Sequence, residues 1–157
     1  MKKLKKPTIY LASDHAGFAL KEQLKQYLIH LGYNCKDCGP FTPEPLDDYP
    51  DYMIPAAQEV ARHPGSRGIF MGGSGQGESI VANKVKGVRA AVYYGGNLEV
   101  VRLSRDHNDA NVLCLGARFV SEAEAKKAVK LWLETSFSGA IRHKRRLQKI
   151  RKFEQAC

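Results

Sequence analysis

The hydrophobic pattern switches repeatedly between two periods. Short apolar runs rich in strand formers predict β-strands at "PTIYLAS" (7–13), "GIFMGG" (68–73), "VRAAVYYG" (88–95) and "NVLCLGA" (111–117), with "YNCKDCG" (33–39) a weaker one. Between them lie helical patterns. "FALKEQLKQYLIHLG" (18–32) sets Phe18, Leu20, Leu24, Leu28 and Leu31 near helical spacing and closes on Gly32. "MIPAAQEVARH", "ESIVANKV", "NLEVVRLSRDH" and "SEAEAKKAVKLWLETSF" predict further helices. The last opens with Ser121 and Glu124 at the spacing of a capping box. "PFTPEPLDDYP" (40–50) contains four prolines and reads as loop, and a final basic helix covers about 139–157.

Strands alternating with helices predict an α/β fold, and right-handed crossovers make its five-stranded parallel sheet doubly wound. Ligands in such folds bind outside the carboxyl ends of the strands. Three loops fall there: "SDHAG" (13–17), "GGSGQGE" (72–78) and "GARF" (116–119). A length of 157 residues suits one domain with its own core, and no repeat, linker or low-complexity segment interrupts it.

The composition is 43% hydrophobic and 26% charged, ordinary for a soluble globular protein. No apolar run reaches the roughly 20 residues of a membrane span. The basic start resembles a signal peptide, but Pro7 breaks its apolar stretch and Asp14 ends it. It is read as a basic N-terminus leading into the first strand of a cytoplasmic protein. The net charge of +9 suits an anionic partner, either a nucleic acid or a phosphorylated small molecule. Seven Lys/Arg and no acid fall within "RHKRRLQKIRK" (142–152). Cys35 and Cys38 form a C-x-x-C, but no second pair or matching histidines complete a zinc site, and the pair does not open a helix as a redox motif would.

The glycine-rich stretch "IFMGGSGQGESIVANKV" (69–85) nearly spells a phosphate-binding loop. Gly72, Gly77 and Ser79 fit that spacing, yet the lysine position holds Glu78. The dinucleotide fingerprint also fails, because its third glycine would fall at Glu78. Four glycines in six residues still let backbone N–H groups converge on a negative oxygen. Beside a carboxylate, a dianionic phosphate is a poor guest, and an oxyanion that appears only during reaction is a better one. Two readings of Glu78 follow. It is a general base beside an oxyanion hole, suited to proton abstraction next to a carbonyl. Alternatively, it merely favours the N-terminus of the next helix electrostatically.

Other residues fit a site for an anion. Arg142 and Arg146 are four apart, so a helix sets them on one face, where two guanidiniums can grip a phosphate. Leu147, Ile150 and Phe153 form an apolar stripe that lets the basic segment dock on the domain. His107 lies in the polar stretch "RDHND", a poor context for a core histidine. His30, His63 and His143 have no such context and read as surface residues, and Trp132 as core.

Six motifs in order, "SDHAG", "DDYP", "GGSGQGESIVANKV", "SRDHND", "LGAR" and "RHKRR", resemble the type B ribose-5-phosphate isomerases. That family also includes the galactose-6-phosphate isomerase subunits, and the resemblance covers nearly the whole chain. It implies a Rossmann-like three-layer α/β sandwich, dimeric or tetrameric, needing no metal or other cofactor. It implies interconversion of ribose 5-phosphate and ribulose 5-phosphate through an enediolate. Asp14 and His107 would assist opening of the sugar ring, with Gly73, Gly75 and Gly77 in the anion hole and Ser74 beside it. Asn108 would touch sugar hydroxyls, Tyr49 would line the pocket, and His15, Arg118, Arg142 and Arg146 would hold the phosphate. Many members carry a cysteine base directly after the third strand, where this chain has Gly72. A branch that resembles the mycobacterial enzymes uses a glutamate six residues later, the place of Glu78.

The strand order in sequence adds a constraint. Glu78 follows the carboxyl end of the third strand, whereas His107 and Asn108 precede the amino end of the fifth. A strand of five or six residues separates those edges by roughly 17–20 Å. A two-fold dimer in which each subunit lends a loop would unite them in a composite site. Two rivals stand beside this reading. An isomerase for allose 6-phosphate or galactose 6-phosphate would use the same chemistry. A basic RNA-binding module would explain the charge but not Glu78, and no aromatic strand motif supports it, so no nucleic-acid or membrane partner is expected.

Overall fold

The computed structural model describes residues 6–157; most of the basic N-terminal head, residues 1–5, lies outside them. Five strands form one parallel sheet: β1 (Thr8–Ser13), β2 (Asn34–Asp37), β3 (Arg67–Gly72), β4 (Ala90–Tyr93) and β5 (Val112–Gly116). Six helices accompany them: α1 (Phe18–His30), α2 (Tyr49–Arg62), α3 (Gln76–Ala82), α4 (Glu99–Asp106), α5 (Glu122–Glu134) and α6 (Ile141–Gln155). The expected α/β class is borne out, as is the capping box, in which Ser121 Oγ accepts the Glu124 N–H.

The strands carry apolar residues on both faces, because both faces are covered. Ile9, Leu11, Ile69, Met71, Leu113 and Leu115 pack against α1, α4 and α5, with Trp132 fully buried among them. The alternate residues Tyr10, Ala12, Phe70, Val112 and Cys114 pack against α2 and α3. The strand order is β2-β1-β3-β5-β4, so β5 is inserted between β3 and β4. Steps toward β2 cross one face and steps toward β4 cross the other, which gives all four crossovers one hand. The loops after the neighbouring strands β1 and β3 therefore diverge to opposite faces, opening a crevice at their carboxyl ends.

A buried ion network holds one wall of that crevice. Lys21 is completely buried on α1 and reaches both oxygens of Asp37 at 2.8 Å. Lys25 joins Asp37 at 2.7 Å, and Glu22 bridges the two lysines. Asp37 also accepts the Gly39 N–H at 2.9 Å, and the Gly39 carbonyl takes the Ser13 N–H at 3.0 Å. The network thus ties the end of β2 to the end of β1, next to Asp14. Burial works to raise the Asp37 carboxyl, but the hydrogen bonds from Lys21, Lys25 and Gly39 prevail and hold it below its ordinary 3.8. Cys35 and Cys38 nearby are free thiols that burial pushes up to about 11.

The apolar stripe of α6 docks less fully than the sequence suggests. Leu147 and Ile150 line a cavity of about 600 Å³ with Val60 and Ala61, but Phe153 is 71% exposed. No helix among the described residues is long and apolar enough to cross a membrane.

Lys21→Ala is expected to lower the unfolding free energy by about 3 kcal/mol, because it removes the fully buried one of the two lysines that pair with the largely buried Asp37 carboxylate. Urea unfolding at neutral pH measures this. The depressed Asp37 pKa makes its contribution present above 3.8 and lost as pH falls through the folded value, so the gap between the variant and wild type should narrow in acid. A loss under about 1 kcal/mol at neutral pH would mean that Lys25 alone satisfies Asp37.

Candidate active site

Glu78 is the third residue of α3, and its side chain turns back onto the end of β3. It is 3% exposed. A Cβ placed on Gly72 would lie 1.9 Å from Glu78 Oε1 and 2.5 Å from Oε2. The carboxylate therefore occupies the space that any side chain at residue 72 would need. Burial raises the Glu78 carboxyl above its ordinary 4.5; its own main-chain N–H opposes that rise and the nearby Asp14 charge adds to it. Cys114 of β5 is fully buried, and burial together with the Glu78 charge pushes its thiol well above 9.0, which keeps it a neutral thiol.

The loop between β3 and α3 is open to close approach. Gly75 has φ +78°, a conformation natural to glycine, and turns the chain tightly against Leu115 and Val92. The N–H groups of Gly73, Ser74, Gly75, Gly77 and Glu78 donate to no other residue among those described, whereas Gln76 N–H donates to Ser74 Oγ at 3.3 Å. Several donors thus remain beside the carboxylate, as an oxyanion hole requires.

Further side chains gather around this loop. Asp14, 8% exposed at the end of β1, accepts the Gly17 N–H at 3.0 Å. The Tyr49 ring stands over Gly77, 2.7 Å from where a Cβ would be. The Arg118 guanidinium lies against Gly73, and no carboxylate among the described residues comes within 4.0 Å of it. His15 leaves β1 beside Asp14 and is held by Asp47, a residue the sequence reading passed over as loop. Asp14, His15 and Asp47 each bring a ligand-capable atom within 4.8 Å of the others. His15 Nδ1 and Asp47 Oδ1 are already spent on each other, so the trio reads as a hydrogen-bonded cluster.

His107, Asn108, Arg142 and Arg146 form a second cluster at the opposite sheet edge. His107 caps α4 and leads through Asn108 to Asp109, which takes φ +45°. Two arginines hold that uncommon turn: buried Arg105 donates to Asp109 Oδ1 and the Ala110 carbonyl, and Arg89 to the Asn108 and Asp109 carbonyls. The same segment continues to Asn111, whose carbonyl takes the N–H of Gly68 at the start of β3. β3 runs six residues from Arg67 to Gly72, so about 17–20 Å of strand separates the clusters.

His143 corrects the sequence reading. Expected on the surface, it is 2% exposed, with its ring centroid 4.2 Å from that of His107 and its Nδ1 2.7 Å from Ser138 Oγ. Burial lowers its pKa, and the charges of His107, Arg142 and Arg146 lower it further. A neutral ring thus backs His107. Arg142 and Arg146 share the exposed side of α6, as their spacing predicts.

Gly72→Ala is expected to cost about 1–3 kcal/mol of stability through overpacking against the Glu78 carboxyl. In a Glu78→Ala background the same substitution should cost less than about 1 kcal/mol, since the colliding group is gone. Equal costs in both backgrounds, read from chemical unfolding, would place the collision elsewhere.

The family model described as Ribose/Galactose Isomerase matches residues 9–150. The ribose-5-phosphate isomerase B of Mycobacterium leprae is 42% identical over 147 residues, covering 94% of this chain and 90% of that protein. The crystal structure of ribose-5-phosphate isomerase B from Mycoplasma genitalium, with bound ribulose 5-phosphate, superposes with a TM-score of 0.91 at 39% identity, covering 96% of this chain and 97% of the other. The Clostridium thermocellum enzyme superposes at 0.89 with 42% identity, covering 95% and 98%. A model match across most of the chain, together with relatives at this identity and coverage, shows that the chain belongs to the ribose/galactose isomerase family.

Proposed function

We propose that this protein interconverts ribose 5-phosphate and ribulose 5-phosphate, as a homodimer whose sites combine both clusters. The observation that carries the reading is the buried Glu78 carboxylate packed on Gly72, beside a loop with free N–H donors. Asp14 and His107 assist ring opening by moving a proton between the ring oxygen and the C1 hydroxyl. Glu78 then takes the C2 proton. The electron pair moves through C1 onto O1, and the negative oxygen is received by the loop N–H groups and Ser74. A proton shifts from O2 to O1, and Glu78 returns its proton to C1, giving the ketose. His15, Arg118, Arg142 and Arg146 hold the phosphate away from the carboxylate, and Tyr49 and Asn108 contact the sugar.

The location of the charges supports the division of labour. Gly72 leaves no thiol after β3, and Cys114 is a buried neutral thiol, so the carboxylate is the base at hand. His143 turns inward against His107 instead of outward with the arginines, which ties the basic helix to the proposed site. The chain carries both clusters, which supports a self-sufficient assembly of identical subunits.

Glu78→Gln is expected to lower kcat by at least about 10²–10⁴-fold with KM little changed, and to stop exchange of the C2 hydrogen with solvent. The base must be ionised, so wild-type kcat/KM should fall as pH drops through the raised Glu78 pKa, with the acid limb above 4.5. More than a tenth of wild-type kcat in the variant would remove Glu78 from the mechanism.

A mixing experiment tests the shared site. Glu78→Gln and His107→Asn subunits, unfolded and refolded together, should give mixed dimers with one doubly damaged and one intact site, so activity returns. If both residues served one subunit's site, every site would carry a lesion. No recovery in mixed dimers confirmed by mass would rule out the exchange.

A further inference from the structure

Asp47 lies in the proline-rich loop before α2, 32 residues beyond His15, yet it makes two contacts to that one residue. Its Oδ1 accepts the His15 main-chain N–H at 3.1 Å and meets the ring Nδ1 at 2.7 Å. The Asp47 side chain is 4% exposed, whereas that of His15 is 38% exposed. A buried, fixed acceptor thus clamps a ring that faces solvent. An ionised carboxylate only accepts, so Nδ1 carries a proton, and Nε2 is the ring atom left for a ligand; it donates to a phosphate oxygen in the doubly protonated ring, the form that an anion on each side favours.

The contact does not read as a stabilising device. Asp47 Oδ2 is buried and has no hydrogen-bond partner among the described residues. Leaving a buried carboxylate oxygen unpaired costs folding free energy. The loop is held by other means as well, since Asp47 N–H donates to the Glu44 carbonyl and α2 follows directly with Pro50 in its first turn. What the carboxylate alone supplies is the rotation of the His15 ring and an anion beside its Nδ1–H.

We infer that Asp47 is a positioning residue for phosphate recognition: it orients the His15 ring so that Nε2 meets a phosphate oxygen of the substrate. The inference rests on the proposed role of His15 in holding that phosphate. An unheld imidazole on an exposed loop samples several rotamers, only a fraction of which aim Nε2 at a ligand, and it lacks the second anion that favours a ring protonated on both nitrogens. Clamping Nδ1 removes that loss before the substrate arrives. The second contact, to the main-chain N–H of the same residue, fixes the backbone from which the ring springs.

The test is a double-mutant cycle with kcat, KM for ribose 5-phosphate and the inhibition constant of inorganic phosphate as readouts. His15→Gln should raise KM and the phosphate constant with kcat little moved. Asp47→Ala should raise both by about 10-fold, with kcat within about threefold of wild type and no fall in Tm. Asp47→Asn keeps an acceptor at Oδ1 and should recover at least half of that loss on a logarithmic scale, which also covers the case of an alanine variant that folds poorly. In the His15→Gln background, Asp47→Ala should change KM by less than about twofold, because the residue it acts through is gone. An undiminished 10-fold effect in that background, or an unchanged KM in Asp47→Ala itself, would overturn the positioning role while leaving the phosphate role of His15 intact. His15→Gln with wild-type KM and phosphate inhibition would overturn both.

Discussion

Residue 72 and residue 78 compete for one volume. The chain ends β3 on a glycine, and the Glu78 carboxylate lies where a Cβ would be, 1.9 Å from the nearest oxygen. Any side chain at 72 would expel the carboxylate, so the placement of the proposed base depends on the missing methyl group. Burial carries a cost in the other direction. Because the folded Glu78 pKa is raised, the stability contributed by its protonated form is full below 4.5 and drains away as pH rises through the folded value. At neutral pH the protein thus holds an ionised carboxylate at the expense of folding free energy. Such strain at a site is expected where a carboxylate must be basic enough to take a proton from carbon.

The rest of the architecture supports that one placement. Asp37, through Lys21 and Gly39, ties the end of β2 to the end of β1, and the Asp14 N–H on the Met71 carbonyl sets that end beside β3. Asp14 and the glycine loop are therefore anchored to adjacent strands, and only the connections differ in direction. The opposite edge is organised by arginines. Arg89 and Arg105 surround Asp109 and hold a positive φ at a non-glycine residue, so the turn that carries His107 and Asn108 is pinned although it is a loop. The two clusters lie a strand length apart, as the proposed composite site requires.

Much of this was legible in the sequence, for reasons that particular residues make plain. Both faces of the sheet are covered, so four strands are continuous apolar runs that stood out, together with the Ser121 capping box, whereas the edge strand β2, "NCKD", gave a weaker signal. Glu78 stood out because a carboxylate sits at the lysine position of an otherwise phosphate-binding spacing. The insertion of β5 between β3 and β4 was not legible, since pairing of parallel strands leaves no local mark. His143 was missed because a basic run hides which face of a helix turns inward. Asp47 was missed because its partner lies 32 residues away and an acid in a proline-rich loop has the composition of ordinary surface. The α6 stripe was read as docked, whereas Phe153 stays largely exposed. Periodicity reports an apolar face, not the element that covers it.

The separation of charges bears on which sugars fit. The phosphate dianion and the Glu78 carboxylate repel each other, so a productive substrate must hold them apart while its carbonyl end reaches the glycine loop. Arg118 lies against Gly73 on the same edge as the base, whereas Arg142 and Arg146 lie on the exposed side of α6, beside the inward-facing His143. Under the proposed dimer, the distance from base to phosphate grip is set across the interface by secondary-structure elements, not by a flexible loop. A longer aldose phosphate would then have to bend, or shift its carbonyl out of register with Glu78. Neither element can move by one carbon without disturbing the packing that places it: α6 carries the buried His143 against His107, and α3 carries Glu78 against Gly72. Under the proposed dimer, discrimination by chain length would follow from the same packing that keeps the carboxylate buried.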